Sequence, residues 1–168
     1  MINKLNERKG GGTIMVDKKF RDSSSFGKRM EYNIIGELLS EGLDVYTPLV
    51  DDHGVDAIIK KENGTFIELQ IKARSNEAKN IGTFANIKID SQLNDKNNKN
   101  FYYIFRCESK LLKKTWVLSF NDFIKNSREN KNGKNKGHRT IKFSTAKGKQ
   151  NAKLAKFDIS DKGYNIFY

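Results

Sequence analysis

Apolar residues recur at three- and four-residue spacings across 25–41: Met30, Ile34, Ile35, Leu38 and Leu39. That period predicts an amphipathic helix, capped by one of the serines at 23–25 and stopped by Gly42. Beyond Gly42 the period drops to two. A short strand is expected over 43–46, ended by Pro48. Strands over 55–60 and 65–74 flank Glu62-Asn63-Gly64, whose Asn-Gly pair marks a hairpin. The second of these has a clear phase: Ile67, Leu69 and Ile71 point one way, and Phe66, Glu68, Gln70 and Lys72 the other. Further strands are expected over 84–89, 101–107, 115–118, 139–143 and 154–159, and a short helix over 120–127 capped by Asn121.

This order predicts an α/β (α+β) fold with a mixed central sheet flanked by helices. Residues 1–24, with Gly10-Gly11-Gly12 and mixed charge, read as a flexible N-terminal arm. Residues 25–168 then form a single domain, long enough for its own core. Its Asn- and Lys-rich stretch over 126–137 reads as a basic, mobile excursion.

Charge changes the picture more than composition does. The chain of 168 residues carries a formal net charge of +12. A surplus of that size favours a polyanionic partner, because lysine and arginine displace counterions from a phosphate backbone. No apolar run approaches the roughly 18 residues of a membrane helix, and no apolar signal region opens the chain, so a cytoplasmic protein is expected. The one cysteine, Cys107, excludes an internal disulfide and a Cys-rich zinc site. The strongest local bias lies over 125–156, where Glu129 is the only acid. Lys125, Arg128, Lys131, Lys134, Lys136, Arg139 and Lys142 are the candidate phosphate contacts within it.

Three features carry the candidate chemistry. Gln70 and Lys72 share the polar face of their strand. Asp56 opens an apolar run just after Gly54, and pairing about the hairpin brings it beside them. A salt bridge to Lys72 is one reason for a carboxylate there, and a metal ion is another. At about 100° per residue, Glu31 falls near the middle of the helix's apolar stripe, whereas Glu37 and Glu41 fall toward its polar side. An acid on a buried face needs a cation, supplied by an Arg or Lys or by a metal. Two carboxylates and an amide oxygen are hard donors that suit Mg²⁺ or Mn²⁺.

Taken together, Gly27-x-x-x-Glu31, Gly54-Val55-Asp56 and Gln70-Ile71-Lys72 resemble the PD-(D/E)xK nuclease superfamily. The layout is closest to the branch holding archaeal Holliday-junction resolvases and the homing endonucleases with a Gln-x-Lys variant. The resemblance spans 27–74. It implies a restriction-endonuclease-like core and a Mg²⁺- or Mn²⁺-dependent endonuclease acting on DNA, with RNA left open. Glu31, Asp56, Gln70 and the main-chain carbonyl of Ile71 are then the metal ligands. Lys72 is the catalytic lysine. A homodimer is implied as well. Gln70 stands where most members carry Glu or Asp, which removes a negative charge. A degenerate member that binds nucleic acid without cutting it is therefore the alternative.

Overall fold

The computed structural model describes residues 23–50, 53–75, 80–89 and 99–168. The arm expected over 1–24 lies outside these, except for its last two positions, which begin the first helix. That helix, α1 (Ser23–Ser40), buries Phe26, Met30, Ile34, Ile35 and Leu38. Leu39, expected on the same stripe, is 52% exposed. It lies at the stripe's edge on the last turn, where no strand covers it. Gly42 ends the helix at φ +84°. The Leu43 amide bonds to the Leu38 carbonyl and the Gly42 amide to the Leu39 carbonyl, the paired closure of a Schellman motif.

The main sheet holds β1 (Asp44–Tyr46), β2 (Ala57–Lys60), β3 (Phe66–Ser75), β5 (Phe101–Ser109) and β6 (Leu112–Ser119), adjacent in that order. Three of the four pairings, β1–β2, β2–β3 and β5–β6, are antiparallel, but β3 and β5 run parallel, so the sheet is mixed. Between them in the chain lies β4 (Thr83–Ile87), which belongs to a second, three-stranded sheet with β8 (Arg139–Lys142) and β7 (Arg128–Glu129). A short helix, α2 (Phe120–Asn126), follows β6.

Each face of the main sheet has its own core. On one face α1 lays Ile34, Ile35 and Leu38 over Ile67, Leu69, Ile71 and Ile104. On the other, Phe84, Ile141 and Phe143 from the second sheet and Phe123 from α2 cover Tyr103, Phe105 and Trp116. Burial on both faces explains why β5 reads as a nearly continuous apolar run.

Two local expectations are corrected. Helix α2 is capped by Ser119, whose hydroxyl accepts from the Asp122 amide at 3.1 Å; Asn121 lies one residue inside. The strand expected over 154–159 is instead a 3₁₀ helix, Ala152–Phe157, capped by Asn151. Leu154 and Phe157, three apart, fall on one side of such a helix, and both pack into the second core. The 126–137 stretch forms the α2 end and a hairpin joining β7 to β8. Its tip is closed by bonds from the Asn130 amide to the His138 carbonyl and from the Gly137 amide to the Asn130 carbonyl. Among the described residues no helix is long and apolar enough to cross a membrane.

The C-terminal segment returns to α1. Arg106 on β5 donates to both oxygens of Glu37, at 2.9 and 2.5 Å, and the Tyr164 hydroxyl donates to Glu37 at 2.8 Å. The Tyr164 amide donates to the Glu41 carboxylate at 2.9 Å. These groups line a cleft of about 470 Å³ in which Lys113 and Lys114 also pair with acids. Burial pushes the Glu37 carboxyl up, but hydrogen bonds from Arg106 and Tyr164 outweigh it and hold it below the usual carboxylate range. A depressed folded value means the stabilisation is complete above the ordinary carboxylate value of 4.5 and is lost as pH falls through the lower folded value. Arg106→Leu should therefore cost about 2 kcal/mol at neutral pH. In urea titrations from neutral to acid pH, the gap between wild type and Glu37→Gln should close toward the acid end.

Candidate functional site

The site is built where one strand stops and its neighbour continues. β2 begins at Ala57, which pairs with Leu69, so Asp56 stands opposite Gln70 at the strand's open end. The Asp56 amide still makes a ladder bond to the Leu69 carbonyl at 2.8 Å. Beyond that point β3 runs on to Ser75 without β2 beside it. The next backbone amide on that edge, Ile71, is taken by the Asp56 side chain: Oδ2 accepts it at 2.7 Å.

In an extended strand the N–H and C=O of one residue point to the same edge. The Ile71 carbonyl therefore faces the Asp56 side, past the end of β2. An aspartate at this position thus replaces a missing ladder partner and brings its second oxygen beside a main-chain carbonyl.

Gln70 is only 8% exposed. Its Nε2 donates to the Gly54 carbonyl at 2.8 Å. A carbonyl only accepts, so the amide is oriented unambiguously, with Oε1 turned away from Gly54. Gly54 is required here twice over. It sits at φ +71°, and a Cβ on it would lie 2.3 Å from Gln70 Nε2. The turn therefore holds the amide by a close backbone approach that only glycine permits.

Lys72 is half-buried on the same strand face as Gln70. Among the described residues no ion pair joins it to Asp56, so the salt bridge that offered one reason for Asp56 is not formed. Glu68 is half-buried two positions before Gln70 on that face, about 6 to 7 Å along the strand.

Glu31 is reached differently. Its side chain is 17% exposed and pairs with Lys28, one helical turn earlier, at 2.6 Å. The Glu31 hydrogen bond raises the Lys28 ammonium above its ordinary range; burial opposes this, and the charges of Glu31 and Asp56 add to it. Lys28 thus lies within electrostatic reach of both carboxylates. Sequence reading missed it, although its i,i+3 spacing to Glu31 was there to be seen. Asp56 and Ile71 are joined by a direct bond, Gln70 is held by the same turn through Gly54, Lys72 follows Gln70 by strand phase, and Glu31 is paired with Lys28 on α1. No cluster of three or more His, Cys, Asp or Glu forms among the described residues. Gln70, an amide where a carboxylate would count toward such a cluster, stands opposite Asp56 in the strand register.

The expected phosphate contacts divide. Lys125, Arg128, Lys131, Lys134, Lys136 and Lys142 are exposed. Arg139 is committed to the fold and is corrected to a structural role. Its guanidinium donates to Ser127 Oγ and to the Ile124 and Ser127 carbonyls, and it pairs with Glu129. It closes the C-terminal end of α2 against the hairpin.

No family model and no curated protein matches the sequence. Solved structures do. A bacterial homing endonuclease, I-Ssp6803I, aligns over 83% of this chain and 90% of its own, at 17% identity and a TM-score of 0.55. Hjc, a Holliday junction resolvase of Archaeoglobus fulgidus, aligns over 66% of this chain and 86% of its own, at 10% identity and a TM-score of 0.41. The first likeness establishes the fold: a five-stranded mixed sheet flanked by helices, as in a nuclease. The mixed sheet flanked by helices expected from the sequence is thereby found.

The Gly54–Gln70 contact makes two substitutions informative. Gly54→Ala should lower stability by about 1 to 3 kcal/mol through backbone strain and displacement of the amide. Gln70→Glu, which adds a negative charge, should also lower the melting temperature, because it sets a carboxylate against the Gly54 carbonyl. Thermal melts of both variants check this.

Proposed function

We propose that the protein is a Mg²⁺- or Mn²⁺-dependent endonuclease that hydrolyses phosphodiester bonds of DNA. The observation that carries the reading is the Asp56 carboxylate holding the Ile71 amide at the open end of β2, opposite a Gln70 whose nitrogen is tied to the Gly54 carbonyl. The Asp56 carboxylate, the Gln70 amide oxygen and the Ile71 carbonyl are hard oxygen donors of the kind that bind Mg²⁺ and exclude soft-ligand metals. Glu31 completes the set from α1. The likeness to a homing endonuclease and the net charge of +12 support DNA as the partner.

In this reading Asp56 has two tasks. One oxygen fixes the Ile71 backbone, and the carboxylate would hold the ion. Gln70, tethered through nitrogen, offers Oε1. A bound divalent ion supplies Lewis-acid stabilisation of phosphate charge and makes a nearby water more acidic. Lys72 would orient that water and, as an ammonium, offset charge on the phosphate. One site cuts one strand, so a duplex cut needs two copies, and we place the enzyme in the cytoplasm as a homodimer.

Cleavage of supercoiled, linear, branched and single-stranded DNA, and of RNA, in Mg²⁺ or Mn²⁺ tests the reading. Wild type should cut DNA, and Lys72→Ala should lose about 100-fold or more. Tight DNA binding with equal or absent cutting in both would leave the degenerate binding protein that the neutral Gln70 permits.

The hairpin over 128–139 is the proposed backbone contact. Lys131, Lys134 and Lys136 project from its tip, and its neighbour β4 is tied to β3 through Arg74, two residues beyond Lys72, which donates to the Thr83 carbonyl at 3.0 Å. Replacing the three lysines with alanine should weaken binding to all sequences alike and flatten the log–log salt slope by about 2 to 3. Fluorescence anisotropy over a salt series reads both effects.

A further inference from the structure

The exposed ammonium of Lys28 is not accounted for by the proposed chemistry. Its side chain is 60% exposed, yet its Nζ lies 2.6 Å from the mostly buried Glu31 carboxylate. It also lies 5.6 Å from the centre of the Tyr32 ring. An i,i+3 pair on a bare helix surface would be a minor local stabiliser. This one differs because its acid is mostly buried, with a side chain only 17% exposed. A buried carboxylate needs a positive charge, and Lys28 supplies one from the solvent side.

We propose that Lys28 is a positioning residue and the resident counter-cation of Glu31, competing with a divalent ion for its carboxylate. The proposal rests on the metal-site reading above. A charge-assisted pair at this distance occupies a carboxylate oxygen that the ion needs. Lysine is suited to yield it, since its ammonium is a point charge on a flexible stem. Tyr32 provides a place to go, its ring lying within cation–π range. Metal affinity of the free protein is then held down from two sides, by the missing charge at Gln70 and by the occupying charge of Lys28. A phosphate brought by the substrate would tip the balance, because Mg²⁺ sites commonly combine few carboxylates with substrate oxygens.

The test is isothermal titration of the full chain with Mn²⁺ in the absence of DNA. Lys28→Met should bind Mn²⁺ about three- to fivefold more tightly than wild type, the change expected when one partly exposed ion pair stops competing. Lys28→Arg, which keeps the charge, should stay near wild type. In a Glu31→Gln background the gain from Lys28→Met should largely vanish. Melting temperatures should move little, since the substituted side chain is exposed. Unchanged or weaker Mn²⁺ binding by Lys28→Met, with binding still abolished by Asp56→Asn, would overturn the role of Lys28 alone. An equal gain in the Glu31→Gln background would overturn it too, by showing a diffuse charge effect. Failure of wild type to bind Mn²⁺ at all would instead remove the metal site on which it stands.

Discussion

The early end of β2 governs this structure. A strand that stops leaves its neighbour with unmatched amides and carbonyls, and such groups must find partners when water is scarce. Here the Asp56 side chain takes the Ile71 amide that the next β2 residue would have taken. The adjacent turn folds back so that Gly54 receives the Gln70 amide. Both bonds follow from the same interruption. The polar atoms gathered there are the remainder of a hydrogen-bond ladder closed by side chains in place of backbone.

Burial of the main sheet on both faces gives that interruption its precision. α1 presses on one side and the second sheet with α2 on the other, so β3 is fixed along its length by apolar contact. Polar groups survive on β3 only along its even-numbered face and toward the end that β2 no longer accompanies. The ionic groups of the opposite cleft do other work. Arg106, Glu37 and Tyr164 bind the C-terminal segment to α1. Their charges are satisfied within the molecule, while Lys131, Lys134 and Lys136 at the tip of the 128–139 hairpin are exposed.

Much of this was legible from residue order. The helix stripe, the Asn63-Gly64 hairpin and the two-residue phase of β3 are local signals, and they suffice to place Asp56 beside Gln70. The two-sheet arrangement was not legible. Strand order depends on which apolar faces meet, and nothing in 83–87 or 139–142 says that they pair with each other and not with the main sheet. The 3₁₀ helix over 152–157 reads as a strand because Phe157 and Ile159, two apart, fit the alternation of a strand. Arg139 looked like its basic neighbours, since sequence does not show that Ser127 and the end of α2 would absorb its donors. For Glu31 both readings had been open, and the structure supplies the lysine partner without closing the other.

The order of connections also bears on how the molecule assembles. β2 and β3 are joined by a turn of a few residues, so the contacts that bring Asp56 to Gln70 and Ile71 are among the most local in the sheet. The parallel pairing of Glu68 with Phe101 must instead wait for a long loop to close, and loops of that kind slow folding. The hairpin bearing the candidate site is therefore able to form before the core that later immobilises it. Its geometry is set by short-range bonds and then clamped by long-range packing. Native-state hydrogen exchange should accordingly show the Ile71 amide closing with the hairpin and acquiring its full protection only with the whole domain.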